Sequence, residues 1–149
     1  PALNNAFALL FTTEGIPLIY NGQEAGNDKR LKFFERDPIV WKDHPHGALI
    51  RDWIGFRDAH PALHNAPWGA RMVQVKNSNG AKVFSFARAK DGDAVFVAQN
   101  YSPEQQTVTL EDIPHPGRWN EKGGTEQALA KGVSLTLAPW STRVFSRRF

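Results

Sequence analysis

The sequence predicts a chain in two parts, one α/β step followed by an antiparallel β-sandwich, and three observations carry that prediction. A helical apolar pattern near the start runs directly into a short apolar stretch, Gly15 to Tyr20, as when a helix leads into a buried strand. A second helical stripe lies between about Gly47 and Ala59 and is stopped by Pro61. After Pro67 the pattern changes to short β-branched and aromatic runs separated by turn dipeptides.

The elements follow in order. Leu3, Phe7, Leu10 and Phe11 recur at helical spacing, and Gly15 is placed to end that helix. Ile16, Leu18, Ile19 and Tyr20 read as a strand covered on both faces, with Pro17 tolerated near its beginning. The charged segment from Asn27 to His46 reads as a long loop, anchored to a surface by Trp41. In the second helix Leu49, Ile50, Trp53, Ile54 and Phe56 form the apolar stripe, with Arg51, Asp52, Arg57 and Asp58 assigned to water. Met72, Val73 and Val75 lead through Ser78-Asn79-Gly80 to Val83, Phe84 and Phe86, a hairpin signal, and Asp91-Gly92 repeats it before Ala94 to Ala98. Further strands are expected at Thr107 to Leu110, around Trp119, at Val133 to Leu137 and at Thr142 to Ser146.

Composition bounds the function. With 41% hydrophobic and 11% aromatic residues the 149-residue chain can bury a core. It has no cysteine, so disulfides and cysteine metal sites are excluded. The net charge of +3 is spread thinly, the pattern of a solvated surface rather than a nucleic-acid face. No apolar run reaches the roughly 20 residues that cross a bilayer, and no signal peptide is visible at the start. The chain therefore predicts neither a nucleic-acid nor a membrane partner. It opens inside a structural element, which is expected of a piece of a longer protein.

The residues with the best claim on chemistry are Asn21, Gln23 and Glu24, at the carboxyl end of the expected strand, where α/β folds place ligands. Asn21 and Gln23 suit either hydroxyl groups of a sugar or the turn's own backbone; Glu24 suits either sugar contact or a local backbone cap. Glu35 and Asp37 lie beside Lys32 and Arg36 and read as loop surface. His44-x-His46 and His60-x-x-x-His64 lack a third ligand, so no metal and no other cofactor is expected. Trp41, Trp68, Trp119 and Trp140 fall in or near expected loops, where an indole face can stack on a sugar or pack between parts of the molecule.

Read together, these strings resemble the alpha-amylase family of glycoside hydrolases. Gly15, Pro17, Gly22 and Glu24 stand where that family has Gly-x-Pro…Gly-x-Glu at the eighth strand of its barrel. Arg36 to Trp41 resembles the loop that follows, and Asp52 to Leu63 the closing helix with its Arg-x-x-His-Pro-x-Leu ending. Phe86-Ala87-Arg88, Val95 to Asn100 and Leu137 to Phe145 resemble the terminal sandwich.

The resemblance implies that residues 1–66 are the C-terminal piece of a (β/α)8 catalytic barrel: eighth strand, loop and closing helix. Residues 67–149 are implied to be the antiparallel β-sandwich C-terminal domain. The implied parent acts on α-glucans or maltooligosaccharides, with Asn21, Gln23 and Glu24 in its substrate cleft. A whole barrel needs about 250 residues, and the strings carrying the family's three catalytic carboxylates are absent from this sequence. No catalytic residue is therefore assigned, and the chain alone is not expected to be catalytically competent. An incomplete barrel surface also implies a homo-oligomer that covers it. The alternative is a non-catalytic carbohydrate-binding or interaction module, which would hold an oligosaccharide unaided.

Overall fold

The computed structural model describes residues 2–149. Two α-helices, α1 (Ala2–Thr12) and α2 (Pro45–Ala59), and a 3-10 turn (Pro61–Leu63) precede eight strands. These are β1 (Val73–Gln74), β2 (Val83–Lys90), β3 (Asp93–Asn100), β4 (Gln106–Thr109), β5 (Gly117–Glu121), β6 (Glu126–Leu129), β7 (Ser134–Leu137) and β8 (Thr142–Arg148). All pairings are antiparallel. One sheet has the order β1-β2-β3-β8-β5-β6, and β4-β7 forms a second, two-stranded sheet.

The large sheet is covered on both faces. Ala94, Phe96 and Ala98 of β3 point into a core shared with Val108, Leu135 and Leu137 of the small sheet and with Trp119, Leu129 and Phe145. The intervening Val95 and Val97 pack with Phe86 and Val144 against Phe7, Ala8 and Phe11 of α1 and Ile50 and Trp53 of α2. Because successive side chains of a strand alternate faces, β3 serves both cores and is buried along its whole length.

The β2–β3 turn follows from its residues. Lys90 pairs with Asp93, and Asp91 and Gly92 between them have φ of 53° and 80°, the two left-handed positions of a type I′ hairpin. The expected turn at Asn79-Gly80 differs. Lys82 and Val83 both donate to the Asn79 carbonyl, and the paired part of β1 is only two residues, with Val73 opposite Ala87.

Four expectations are corrected. Gly15 to Tyr20 is extended but pairs with no strand; Ile16, Leu18 and Tyr20 are 80%, 73% and 61% exposed. A strand needs neighbours to satisfy its backbone, and the described residues supply none there. Trp119 lies within β5 and is fully buried, so it offers no face to a ligand. Trp41 is not an anchor: it is 59% exposed. Arg57 does not face water.

Two guanidinium groups hold the end of α1, Arg57 from α2 and Arg88 from the sheet. Arg57 Nη1 donates to Phe11 O at 2.8 Å, and Nη2 donates to Gly15 O and Asn65 Oδ1, each at 2.7 Å. Arg88, on β2, donates through Nε to Ala70 O at 2.8 Å, through Nη1 to Thr13 O at 2.8 Å and Leu63 O at 3.1 Å, and through Nη2 to His64 O at 2.7 Å. Both thereby satisfy carbonyls at the C-terminal end of α1, which no helical N–H can reach, at the negative end of its dipole. Burial and, less strongly, the nearby Arg57 charge pull the Arg88 guanidinium down to about 10 against the opposing pull of Glu14, so it remains charged at neutral pH.

A third tie is Asp93, whose Oδ1 meets His60 Nδ1 at 2.9 Å and whose Oδ2 accepts from Ala62 N at 3.0 Å. A fourth is polar: Gln99 Nε2 donates to Asn5 O at 2.8 Å and Asn5 Oδ1 at 2.7 Å, while Asn5 Nδ2 donates to Asn100 O at 3.0 Å.

Candidate functional site

After the extended segment the chain makes a tight polar turn. Gln23 N donates to Tyr20 O, Ala25 N and Asn27 N to Gly22 O, and Gly26 N to Gln23 O. Gly22 and Gly26 have φ of 95° and 66°, backbone that strains any side chain with a Cβ. Gly26 is also closely packed: a Cβ there would lie 2.5 to 2.7 Å from the His44 ring. His44 caps α2, its Nδ1 accepting from His46 N at 3.2 Å, and Pro45 follows at the first helical position.

This turn places the three sequence-predicted residues. Gln23 Oε1 accepts from Tyr20 N at 2.7 Å and Glu24 Oε2 accepts from Gly22 N at 3.1 Å, so both side chains brace the turn. Asn21 is exposed at its tip. Only Glu24 reaches the largest cleft, an open volume of about 880 Å³. Trp41, Lys42, Asp43, His44 and Arg51 line it with Glu24. Gln23 instead lines a smaller recess of about 160 Å³ with Phe7, Gly26 and His46.

The loop that leads to Trp41 is held by charge. Lys29 pairs with Asp37 and also donates to Pro38 O at 2.9 Å, Lys32 N donates to Asp37 Oδ2 at 3.0 Å, and Lys32 pairs with Glu35 at 2.6 Å. The Lys29 hydrogen bond, with the Lys32 amide, holds the Asp37 carboxyl below its ordinary value. Glu35 and Asp37 thus each face a lysine rather than one another.

The cleft offers an exposed indole, two carboxylates, an ammonium and a guanidinium. That set can stack on and hydrogen-bond a polyhydroxylated ligand. Among the described residues no group of three His, Asp or Glu is placed to hold a metal. His60, a metal candidate by spacing, is instead engaged by Asp93. Sequence reasoning missed Asp43 and Arg51 as cleft residues. Their neighbourhood to Glu24 arises from the seating of α2 on the turn, where the Gly47 Cβ position lies 3.3 Å from the Glu24 carbonyl.

Comparison with known proteins places this architecture. Residues 74–148 match the family described as alpha amylase, C-terminal all-beta domain. The chain belongs to that family. It is 34% identical over 113 residues to the alpha-amylase MalA of Haloarcula japonica, covering 73% of this chain and 16% of that protein. It is 28% identical over 153 residues to a beta/alpha-amylase of Paenibacillus polymyxa, covering 99% of this chain and 12% of that one. The chain therefore spans under a fifth of the length of these relatives. In fold it is similar to a maltogenic alpha-amylase, AmyB, of Thermotoga neapolitana, with a TM-score of 0.79 at 20% identity, over 99% of this chain and 36% of that one. No helix among the described residues is long and apolar enough to cross a membrane.

Proposed function

We propose that this chain is the C-terminal portion of an alpha-amylase-type glycoside hydrolase acting on α-glucans or maltooligosaccharides. In this reading the segment up to residue 66 is the end of a (β/α)8 catalytic barrel and residues 67–149 are its accessory β-domain. Ile16 to Tyr20 is then the eighth barrel strand. The observation that carries the reading is the one-sided exposure of that segment. Ile16, Leu18 and Tyr20 are open to solvent, while the alternate Ile19 packs on the core beneath the helices. A period of two with one face seated and one bare is the pattern of a strand waiting for neighbours. The fold likeness, which extends well beyond residues 74–148, supports it.

Glu24, Trp41, Asp43 and Arg51 would form one wall of the parent's substrate cleft, with Asn21 and Gln23 beside it, and contribute no catalytic carboxylate. A retaining glycosidase needs two carboxyl groups roughly 5 Å apart across the scissile bond; in this reading the upstream barrel supplies them. The purified chain should release nothing from a chromogenic maltooligosaccharide, and the longer polypeptide that includes the upstream barrel should release product. Hydrogen exchange should show the amides of Ile16, Leu18 and Ile19 unprotected in the chain alone and protected in the longer protein. Release by the chain itself, tracking with it through purification, would overturn the reading. So would equal protection of the Ile16, Leu18 and Ile19 amides in both forms. In light scattering the chain alone should self-associate through its bare apolar face, and a monomer at all concentrations would remove that part of the proposal.

A further inference from the structure

A second groove of about 560 Å³ lies where the N-terminal half of α1 and the Leu49–Trp53 flank of α2 meet the β7–β8 turn, and it shares no lining residue with the cleft at Glu24. Asn4 and Asn5 of α1, Leu49 and Trp53 of α2, and Trp140, Ser141 and Thr142 of the turn line it. We propose that this groove is a separate binding site for a neutral oligosaccharide, with Trp140 as its stacking platform.

Three observations carry the proposal. The first is the lining chemistry. Among the described residues that line the groove none is charged: Trp140, the Asn4 amide and the Ser141 hydroxyl reach its surface, while Asn5 and Trp53 lie buried behind them. That combination suits a ligand with apolar ring faces and many neutral hydroxyls, and it offers no charged partner to a phosphate, a carboxylate or a cation. The cleft at Glu24, with its acids and bases, is different in kind.

The second is Trp140 itself. Its φ is 50°, in the left-handed region that a bulky side chain occupies only under strain. Glycine or asparagine would relax the turn there. A tryptophan held in such a conformation at the edge of a cavity points to a function that outweighs the strain.

The third is that the walls are pinned before any ligand arrives. Asn100 Nδ2 donates to Ala138 O at 2.9 Å, Ser141 Oγ donates to the same carbonyl at 2.8 Å, and Trp140 N donates to Ser102 O at 3.1 Å. Across the groove, Thr142 Oγ1 bonds Asn5 Oδ1, and Gln99 Nε2 donates to Thr142 Oγ1 at 3.1 Å. These bonds fix the turn and α1 relative to each other, so a ligand has little ordering left to do.

The proposal rests on the α-glucan reading only for the choice of sugar. The test is a titration of the isotope-labelled 149-residue chain with maltoheptaose, followed by amide NMR. Backbone signals of Asn4, Asn5 and Ser141 should shift in a saturable way. Trp140→Asn, which suits the left-handed backbone, should weaken that binding roughly tenfold or more without lowering the thermal midpoint. Asn4→Arg, at an exposed helical position, should block the groove independently and covers the case in which the first variant misfolds. Trp41→Ala should leave these shifts unchanged, and a negatively charged oligogalacturonate should not produce them. The proposal is overturned if maltoheptaose moves no signal in the groove, or if the shifts survive both groove variants. Shifts confined to the Glu24–Trp41 cleft also overturn it while favouring the cleft-wall reading, so the two proposals fail separately.

Discussion

Replacing Arg88 by methionine tests the claim that one buried guanidinium ties α1 to the sheet. The side chain is 1% exposed and spends its donors on backbone carbonyls of Ala70, Thr13, Leu63 and His64, with a longer contact to Thr12 O at 3.3 Å. Methionine fills the stem volume and offers no donor. A buried acceptor left without its partner costs about 1–3 kcal/mol. Four or five such carbonyls therefore set a gross loss of roughly 4–15 kcal/mol. Two effects reduce it. The charge no longer has to be buried, a relief visible in the pull of the guanidinium down to about 10, and water can enter from the exposed linker beside Trp68. The net expectation is about 3 kcal/mol of lost stability, or a fall of roughly 6–12 °C in the melting temperature of a chain this size.

Urea denaturation followed by circular dichroism, with unchanged slope, measures this loss. Amide exchange in α1 should accelerate more than exchange in β3. Arg88→Lys should recover only part of the loss, because a single ammonium cannot span carbonyls that a planar fork reaches together. A loss below about 1 kcal/mol for Arg88→Met, or full rescue by lysine, would refute the reasoning.

Two further perturbations follow from the same geometry. Burial pushes the Asp93 carboxyl up, but the His60 hydrogen bond, the Ala62 amide and the charges of His60 and Arg148 together hold it below its ordinary value. A depressed folded value means that Asp93 stabilises the fold fully above the unfolded carboxylate value of about 3.9. That stabilisation is lost as pH falls from there through the folded value. Asp93→Asn should flatten this acid limb and cost about 1–3 kcal/mol at pH 7; urea midpoints that keep the parent's slope between pH 5 and pH 2 would show that Asp93 is not the group responsible. Gly26→Ala should cost about 1–3 kcal/mol by combining left-handed strain with displacement of the His44 cap. A thermal midpoint equal to or above that of the parent would show that the His44 packing does not constrain the turn.

Much of the local structure was legible from local chemistry. The Asp91-Gly92 hairpin, the apolar runs of β2, β3, β7 and β8, and the stripe of α2 each depend on a period or turn residue that the sequence displays directly. So did the family resemblance, which lies in short strings. β6 was not legible, because Glu126 to Leu129 reads as polar surface and becomes a strand only by pairing with β5. Of the site residues, the place of Gln23 and Glu24 in a polar turn was visible, as was a backbone role for their side chains, but not which amides they take, Tyr20 N and Gly22 N.

By itself, then, the sequence determined the two helices, most of the alternating runs, the Asp91-Gly92 turn and which family its strings resemble, since these are properties of neighbours along the chain. Only the tertiary structure decided what faces what. An arginine on a helix flank or a strand looks solvated until carbonyls from elsewhere arrive; for Arg88 one of these lies 76 residues away and carries no side-chain signature. The same holds for Ile16 to Tyr20. Its sequence specifies an apolar extended segment, but hydrogen-bonded strand structure depends on neighbours that a local pattern cannot provide.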